Sequence, residues 1–464
     1  MGLATAKEEL RQYDLVESGP ALAAMSRDFF WYSPILKSHL DHLVADFVVT
    51  PKNQDDVIAI LKVCYKHDIP ITVRGSGTGN YGQAMPLAGG CILNMNQMNR
   101  VKAIHLGRVI AEPGCILKDL DKACIEDSQQ EIRMFSSTWA TASLGGFIAG
   151  GSGGVGSCKW GQLRDVGNIL RIRVVTMEEN PRVLDFRGDE IPRVSHAYGT
   201  NGVITEIEMP LAPAYEWVGM FLAFDDFMES VNFAADLANE DGILIKLATP
   251  MEAPIAYDYF PRIKPFINKE TNILALMVAP HSIDAFLTFM AQRQKPKIIY
   301  RSDDNDWTRN PGPVFEYAWN HTTLRALRID PSITYLQVRY AYPDYLKKIA
   351  KVRQIFGSEV LQHLEVIREH GKVMFAALPI VKFTTEERLD EIVRIHEELG
   401  CMIFNPHRYT LEEGGRQTVD SRQLSFKKEA DPKGLLNPGK MIAWDDPSWK
   451  FDRMYSYPKI LKAS

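Results

Sequence analysis

Two glycine clusters constrain this chain more than any other feature: RGSGTGNYG at 74–82 and SLGGFIAGGSGG at 143–154. Gly75, Gly77, Gly79 and Gly82 fall within eight residues, and Gly145, Gly146, Gly150, Gly151, Gly153 and Gly154 within ten. Glycine admits φ > 0 and lets the backbone approach a ligand closely. A tight inter-strand turn needs only one or two of them. Gly77, Gly79 and Gly82 satisfy GxGxxG, yet a Rossmann fingerprint must open a helix directly after a first strand. Here QAMPLAGG follows, and Pro86 with Gly89 and Gly90 argues against a helix. No GK[ST] follows either, which sets aside a P-loop. What remains is a nest of backbone N–H groups suited to a diphosphate, with Arg74 and the Ser76 and Thr78 hydroxyls as further donors. The second cluster carries Leu144, Phe147, Ile148 and Val155, unlike a polar flexible linker. It reads as backbone packed against the other side of an extended dinucleotide.

The elements around these clusters have a definite order. DFVVTP (46–51) reads as a strand, NQDDVIAILKVCYKHD (53–68) as a helix capped by Asn53, and IPITVRG (69–75) as the strand that delivers the first cluster. Strands are predicted at 91–96, 100–104, 108–114, 169–177 and 203–211, with a helix at 116–128. Residues 1–40 read as helices and loops without strand alternation. From 214 to 405 the order strand–helix–strand recurs, as in ferredoxin-like units, and implies antiparallel sheet with helices on one face. The segment 301–332 breaks the pattern, and long unpatterned loops are often functional.

Length and composition bound the function classes. A chain of 464 residues is too long for one ordinary core. A net charge of −5 is the wrong sign for a nucleic-acid binder. No stretch reaches the roughly 18 apolar residues of a membrane span. The charged amino terminus lacks a signal-peptide core, so a cytoplasmic protein, at most peripheral to a membrane, is expected. Six scattered cysteines without a CxxC pair signal neither zinc nor an iron–sulfur cluster, and are expected to be free thiols.

In order, VTPKNQDDVIAIL, RGSGTG, ASLGG, WGQLRDVGNILRIRVVT and AYGTNGVITEIEMPL resemble the signatures of the vanillyl-alcohol oxidase/PCMH superfamily of FAD-binding oxidoreductases. The closing LNPGKM is similar to the carboxyl-terminal signature of its D-lactate/glycolate dehydrogenase branch. The resemblance implies an α+β fold: a PCMH-type FAD-binding domain of two subdomains (41–213) and a cap domain with a large antiparallel sheet (214–405). It implies an amino-terminal helical segment (1–40) before them and a return to the FAD domain after them (406–464). By motif position, Arg74, Gly75, Ser76, Gly77, Thr78, Gly79 and Asn80 would hold the diphosphate, with Ser143, Gly145, Gly146 and Gly150 nearby. Gly202 and Val203 would lie near the adenine side, and Asn437 near the flavin ring. Asn80 and Tyr81 stand where covalent members carry a tethering histidine, so a non-covalent FAD is expected. The branch's HxGDGNxH metal and substrate motif is absent, and Glu412–Glu413–Gly414 stands in place of its EHG triplet, so no metal is expected.

Oxidation at a flavin needs a group that takes the partner proton, and an imidazole suits neutral pH. Of eleven histidines, two stand out by context. His407 lies where the chain leaves the cap, beside Arg408, Tyr409 and Glu413, and His321 lies in the long cap loop. Arg408 is a candidate carboxylate clamp. The leading expectation is oxidation of a CH–OH group of a small organic substrate by hydride transfer to flavin. The alternatives are a flavin-carrying subunit of a larger electron-transfer complex and a flavin reductase of a conjugated double bond. The electron acceptor and any oligomer stay open. Without a tethering histidine, acid precipitation is expected to release all FAD into the supernatant; flavin absorbance retained in the denatured pellet would contradict this.

Overall fold

The computed structural model describes residues 2–293, 296–304 and 310–450. The predicted end of the 282–294 helix at residue 294, and residues 305–309 of the cap loop, lie outside the described residues.

The first sheet is built as the hydrophobic pattern requires. Phe47–Thr50, Cys91–Asn94 and Ile71–Arg74 run parallel, with Cys91–Asn94 in the middle. Their residues are almost all buried, the signature of strands covered on both faces. The crossover is the helix Gln54–Lys66. Asn53 caps it by accepting from the Asp56 N–H, and Val57, Ile60, Leu61 and Cys64 form its buried stripe. A fourth strand, Asp14–Val16, pairs antiparallel with Phe47–Thr50. The sequence predicts only helices and loops before residue 40, and this strand is a departure from that. Three half-exposed residues at a sheet edge carry no alternation long enough to be read.

The second sheet has six strands organised on the long strand Val203–Pro213. Arg108–Ala111 and Arg171–Val175 flank it antiparallel, and Gln130–Ile132 pairs with its far end. Glu206 and Glu208 are buried on this strand because long basic side chains cover them. Lys102 reaches Glu206 at 2.6 Å, Arg108 reaches Glu208 at 2.6 Å, and Arg171 touches both carboxylates.

Beyond residue 214 the strands are antiparallel and spread over three sheets. One has the order Ile245–Met251, Asn272–Val278, Val218–Phe224, Lys297–Arg301. A second has the order Leu364–Glu369, Lys372–Ala377, Val338–Tyr340, Met402–Ile403. A third joins Ile333–Tyr335, Ile380–Lys382 and Val360–Leu361. A bridge between Met251 and His363 links the first to the second. Two predicted strands each break and change sheets. TYLQVRY breaks at Leu336–Gln337, and KVMFAALPIVKF at Leu378–Pro379, where proline removes a ladder donor. Helices Phe227–Ala238, Ile283–Ala291, Tyr345–Phe356 and Glu386–Glu398 cover these sheets. All six cysteines are free and buried.

After Phe404 the chain runs back to the first sheet. The Ile71 N–H donates to Leu435 O at 2.8 Å, and the Asn437 N–H donates to Ile71 O at 2.7 Å. The two halves are also locked by charge. Lys246 donates to Glu131 Oε1 at 2.7 Å, the Trp217 Nε1–H donates to the same carboxylate, and both ions are over nine-tenths buried. Truncating one partner leaves the other buried and uncompensated. Lys246→Ala is therefore expected to cost about 3–5 kcal/mol and lower the melting temperature by calorimetry. Lys246→Met combined with Glu131→Leu is expected to recover most of that loss, and no recovery would contradict the ion-pair account.

Candidate functional site

The two glycine clusters meet where the backbone of one touches the Ser143 side chain of the other. The Ser76 N–H donates to Ser143 Oγ at 3.2 Å, and a Cβ added to Gly75 would run into that same hydroxyl. Gly77 has φ +66. Residues 144–150, predicted as loop, form a short helix after Ser143. Its glycines are explained by proximity: the Gly145 N–H donates to Pro113 O at 2.7 Å, and a Cβ there would stand 2.5 Å from Pro113 Cβ. Packing of this kind overrides a poor helix propensity.

Between the clusters lies a cavity of about 730 Å³. Gly75 to Tyr81 line it, together with Ser143, Gly145, Gly146 and Gly150 of the second cluster and Gly202. Elements of the cap close it: Trp319, Asn320, the strand segment 337–339 and the hairpin turn at Glu369–His370.

Three of the expected cofactor residues stand behind the lining. Arg74 spends its guanidinium on the backbone, donating to Met25 O, Gly75 O and Arg27 O at 2.7, 2.9 and 2.9 Å. It clamps the amino-terminal segment under the loop and does not turn to the cavity. Val203 starts the long strand and is part of the hydrophobic core. Asn437 has φ +44 and donates through Nδ2 to Gln83 O at 2.8 Å and Tyr198 O at 2.6 Å. It ties the carboxyl-terminal return to both cavity loops.

The expected catalytic residues are not among the lining residues. His407 is 2% exposed. Its Nε2–H donates to Tyr335 O at 2.9 Å, and its Nδ1 accepts from the Ser33 hydroxyl at 2.7 Å, while Ser33 Oγ accepts from the Leu36 N–H. Burial, opposed by the bond to Tyr335 O and helped by Arg408, pushes its pKa down to about 3. Both nitrogens serve the fold. Arg408 is buried within 3.9 Å of Asp390. Tyr409 packs with Phe30, Leu36, Leu40 and Met85. Glu413 is buried, and burial, against the pull of Arg408, raises it to about 7. His321 pairs with Glu316 at 2.9 Å. His407 and Tyr409 pack against the amino-terminal segment, at Ser33 and at Phe30, Leu36 and Leu40, whereas Leu411, Glu412 and Gly414 of the same crossover line the cavity.

Several lining residues went unread in the sequence. Asp28 accepts from the Phe30 and Ala84 N–H groups at 3.0 Å each. Burial pushes its carboxyl up and pushes the Lys440 ammonium down, and each opposes the other's shift. The Nδ1–H of His196 donates to Gly151 O at 3.0 Å, and burial lowers its pKa to about 4. Arg339 Nη1 donates to Glu369 Oε1 at 2.9 Å. A Glu–His–Gly run does exist in the chain, at 369–371, and it forms the hairpin turn at the cavity, whereas Glu412 caps the segment 442–443 through its carboxylate. The signal was available as a glycine after a polar pair between two strands.

Of the buried side-chain donors without an acceptor among the described residues, four gather here: Asn80 Nδ2, Gln162 Nε2, Trp319 Nε1 and Arg339 Nε. All four residues line the cavity. Buried donors without partners are rare and call for a ligand that accepts. A long glycine-sided cleft with orphan N–H groups fits FAD and an oxygen-rich substrate, and its volume lies in the usual range for bound cofactors and ligands. Among the described residues no group of three or more His, Cys, Asp or Glu side chains is arranged to hold a metal ion, and no helix is long and apolar enough to cross a membrane.

The neutral, buried His407 has a pH consequence. Its folded pKa lies below the ordinary 6.5, so below that value the unfolded chain binds a proton the native state refuses. Its stabilising contribution is complete above pH 6.5 and is lost as pH falls toward about 3. Replacing it by a group that cannot titrate, His407→Asn, is expected to flatten the decline of denaturation midpoints from pH 7 to pH 4. An unchanged slope would contradict this.

Residues 45–183 match the family model described as an FAD binding domain. The chain is 30% identical over 455 residues to the mitochondrial D-lactate dehydrogenase [cytochrome] of Arabidopsis thaliana, covering 89% of this chain and 76% of that one. It is 26% identical over 429 residues to the glycolate oxidase subunit GlcD of Escherichia coli, covering 85% and 83%. Among solved structures, alkyldihydroxyacetonephosphate synthase superposes with a TM-score of 0.71 at 13% identity, covering 94% of this chain and 85% of that chain. The fold is thus shared where the sequence has diverged. The chain belongs to the vanillyl-alcohol oxidase/PCMH superfamily, in its D-lactate/glycolate branch, and is an FAD-dependent oxidoreductase.

Proposed function

We propose that this enzyme oxidises the CH–OH carbon of a small 2-hydroxy acid held between the cap strand Val338–Tyr340 and the glycine segments. The observation that carries the reading is Arg339. It is 8% exposed, stands on the cavity wall, and keeps Nε without an acceptor while Nη1 is occupied by Glu369. Its guanidinium lies over the Phe404 ring at 5.1 Å, which restricts its plane. A fixed, desolvated fork of this kind matches a carboxylate. The names of the two relatives, a glycolate oxidase subunit and a D-lactate dehydrogenase, support the same class.

The backbone at Gly75–Asn80 and at Ser143, Gly145, Gly146, Gly150 and Gly202 would hold FAD without a covalent bond. When bound there, FAD supplies the acceptor for the substrate's hydride. Arg339 binds and orients the acid, and the cap residues Trp319 and Asn320 exclude water. The hydroxyl proton goes to His370, the histidine that the cap contributes to the lining, held in the hairpin turn next to Glu369 and so next to the clamp. His196 is fixed by Gly151 O and stays neutral there.

A second reading concerns the electron acceptor. Similarity to a chain named as a subunit favours a flavin-carrying component that passes electrons to a partner. Anaerobic mixing of the purified enzyme with 2-hydroxy acids, alditols and phenolic alcohols tests the substrate class; bleaching of the flavin is expected with a 2-hydroxy acid alone. His370→Gln is expected to slow that bleaching by about two to four orders of magnitude with FAD retained. Arg339→Ala is expected to raise KM by about 30-fold or more. Bleaching by alditols only, or an Arg339→Ala variant with unchanged KM, would defeat the reading.

A further inference from the structure

Trp319 precedes the helix Asn320–Ile329 with φ 52 and ψ −141, a region that side-chain-bearing residues avoid. Such a conformation persists only where surrounding contacts over-determine it, and it clusters at ligand sites. The contact here is a buried carboxylate. Glu365, 1% exposed, accepts from the Trp319 backbone N–H at 2.5 Å through Oε1 and from the Thr249 hydroxyl at 2.5 Å through Oε2. His363, fully buried, brings Nε2 to 2.9 Å from Glu365 Oε1, while its Nδ1 faces Leu378 O at 3.2 Å. Thr322, in the same helix as Asn320, holds His363 Nε2 at 3.1 Å. A His–Glu pair is thus buried behind the cavity wall, and the backbone group that its glutamate holds belongs to the strained residue.

The indole of that residue lines the cavity and lies across the second glycine cluster: a Cβ on Gly153 would stand 3.4 Å from its Cη2. Its Nε1–H has no acceptor among the described residues. Strain, a dedicated buried anchor and an unspent donor coincide on one side chain. A helix start needing only a cap would be served by a Ser or Asp at that position.

We propose that Trp319 is a substrate-orienting residue whose indole N–H is reserved for the oxygen-bearing ligand, and that Glu365 and His363 are positioning residues that hold it there. This rests on the reading of the cavity as the site for a 2-hydroxy acid. The role is distinct from that of Arg339: the arginine supplies charge, and Trp319 supplies a rigid wall with a single directional donor, which fixes how the substrate is rotated.

The test is a double-mutant cycle in the FAD-loaded enzyme between Trp319→Phe and Glu365→Gln, with Glu365→Asp as the conservative variant. Three quantities are read: KM and kcat for the bleaching substrate, the dissociation constant of oxalate from its perturbation of the flavin spectrum, and hydrogen exchange of the Trp319 amide. Trp319→Phe keeps the ring and loses one hydrogen bond, so KM and the oxalate constant are expected to rise about 3- to 10-fold with FAD content unchanged. Glu365→Gln is expected to speed exchange at Trp319 and to weaken oxalate, and this weakening disappears in the Trp319→Phe background. Additive losses, unchanged exchange, or absence of any oxalate perturbation in the parent would overturn the proposal. If no hydroxy acid bleaches the parent, the reading of function fails separately, and the oxalate and exchange arms still decide Trp319.

Discussion

The structure depends on one close approach, that of the two glycine segments at Ser76 and Ser143. Where the Ser76 N–H meets Ser143 Oγ, a Cβ on Gly75 has no room, and one on Gly145 would collide with Pro113. Glycine is costly in ordered backbone, so clusters this dense persist only where contact distance matters. That contact sets the width of the cleft, and every lining residue of the cap is placed relative to it.

The walls of the cleft are held from behind. Arg74 spends its guanidinium on the backbone carbonyls of Met25, Arg27 and Gly75, and Asn437 spends Nδ2 on those of Gln83 and Tyr198. Neither residue turns to the cavity, yet both fix groups that do. The donors left over, on Asn80, Gln162, Trp319 and Arg339, come from both lobes. The site is therefore complete only when the cap is docked, and the buried Lys246–Glu131 pair is one of the contacts that dock it.

The catalytic reading of the sequence and that of the structure part company at His407. A histidine followed by arginine and tyrosine at a domain crossover has the composition of an active site. In the fold its two nitrogens are taken by Ser33 and by Tyr335 O, and the cleft is reached instead by a hairpin turn bearing His370. Sequence context cannot separate these cases, because the partner that removes His407 from chemistry lies 374 residues away.

What the sequence determined by itself is the local and periodic part. It gave the Asn53-capped helix, the strands on either side of the first glycine cluster, the antiparallel character of the cap and the need for a ligand along two glycine-rich loops. These follow from side-chain periodicity, capping chemistry and the backbone freedom of glycine, all of which act over a few residues. Only the tertiary structure decided which polar groups face the cleft. Breaks at Leu336–Gln337 and Leu378–Pro379 send strands between sheets and turn Gln337–Arg339 toward the cavity. Pairing between segments distant in sequence then consumes the donors of Arg74 and His407 and leaves Trp319 Nε1 and Arg339 Nε unspent. Exposure of a polar atom is a property of everything packed around it, and no window of sequence contains that.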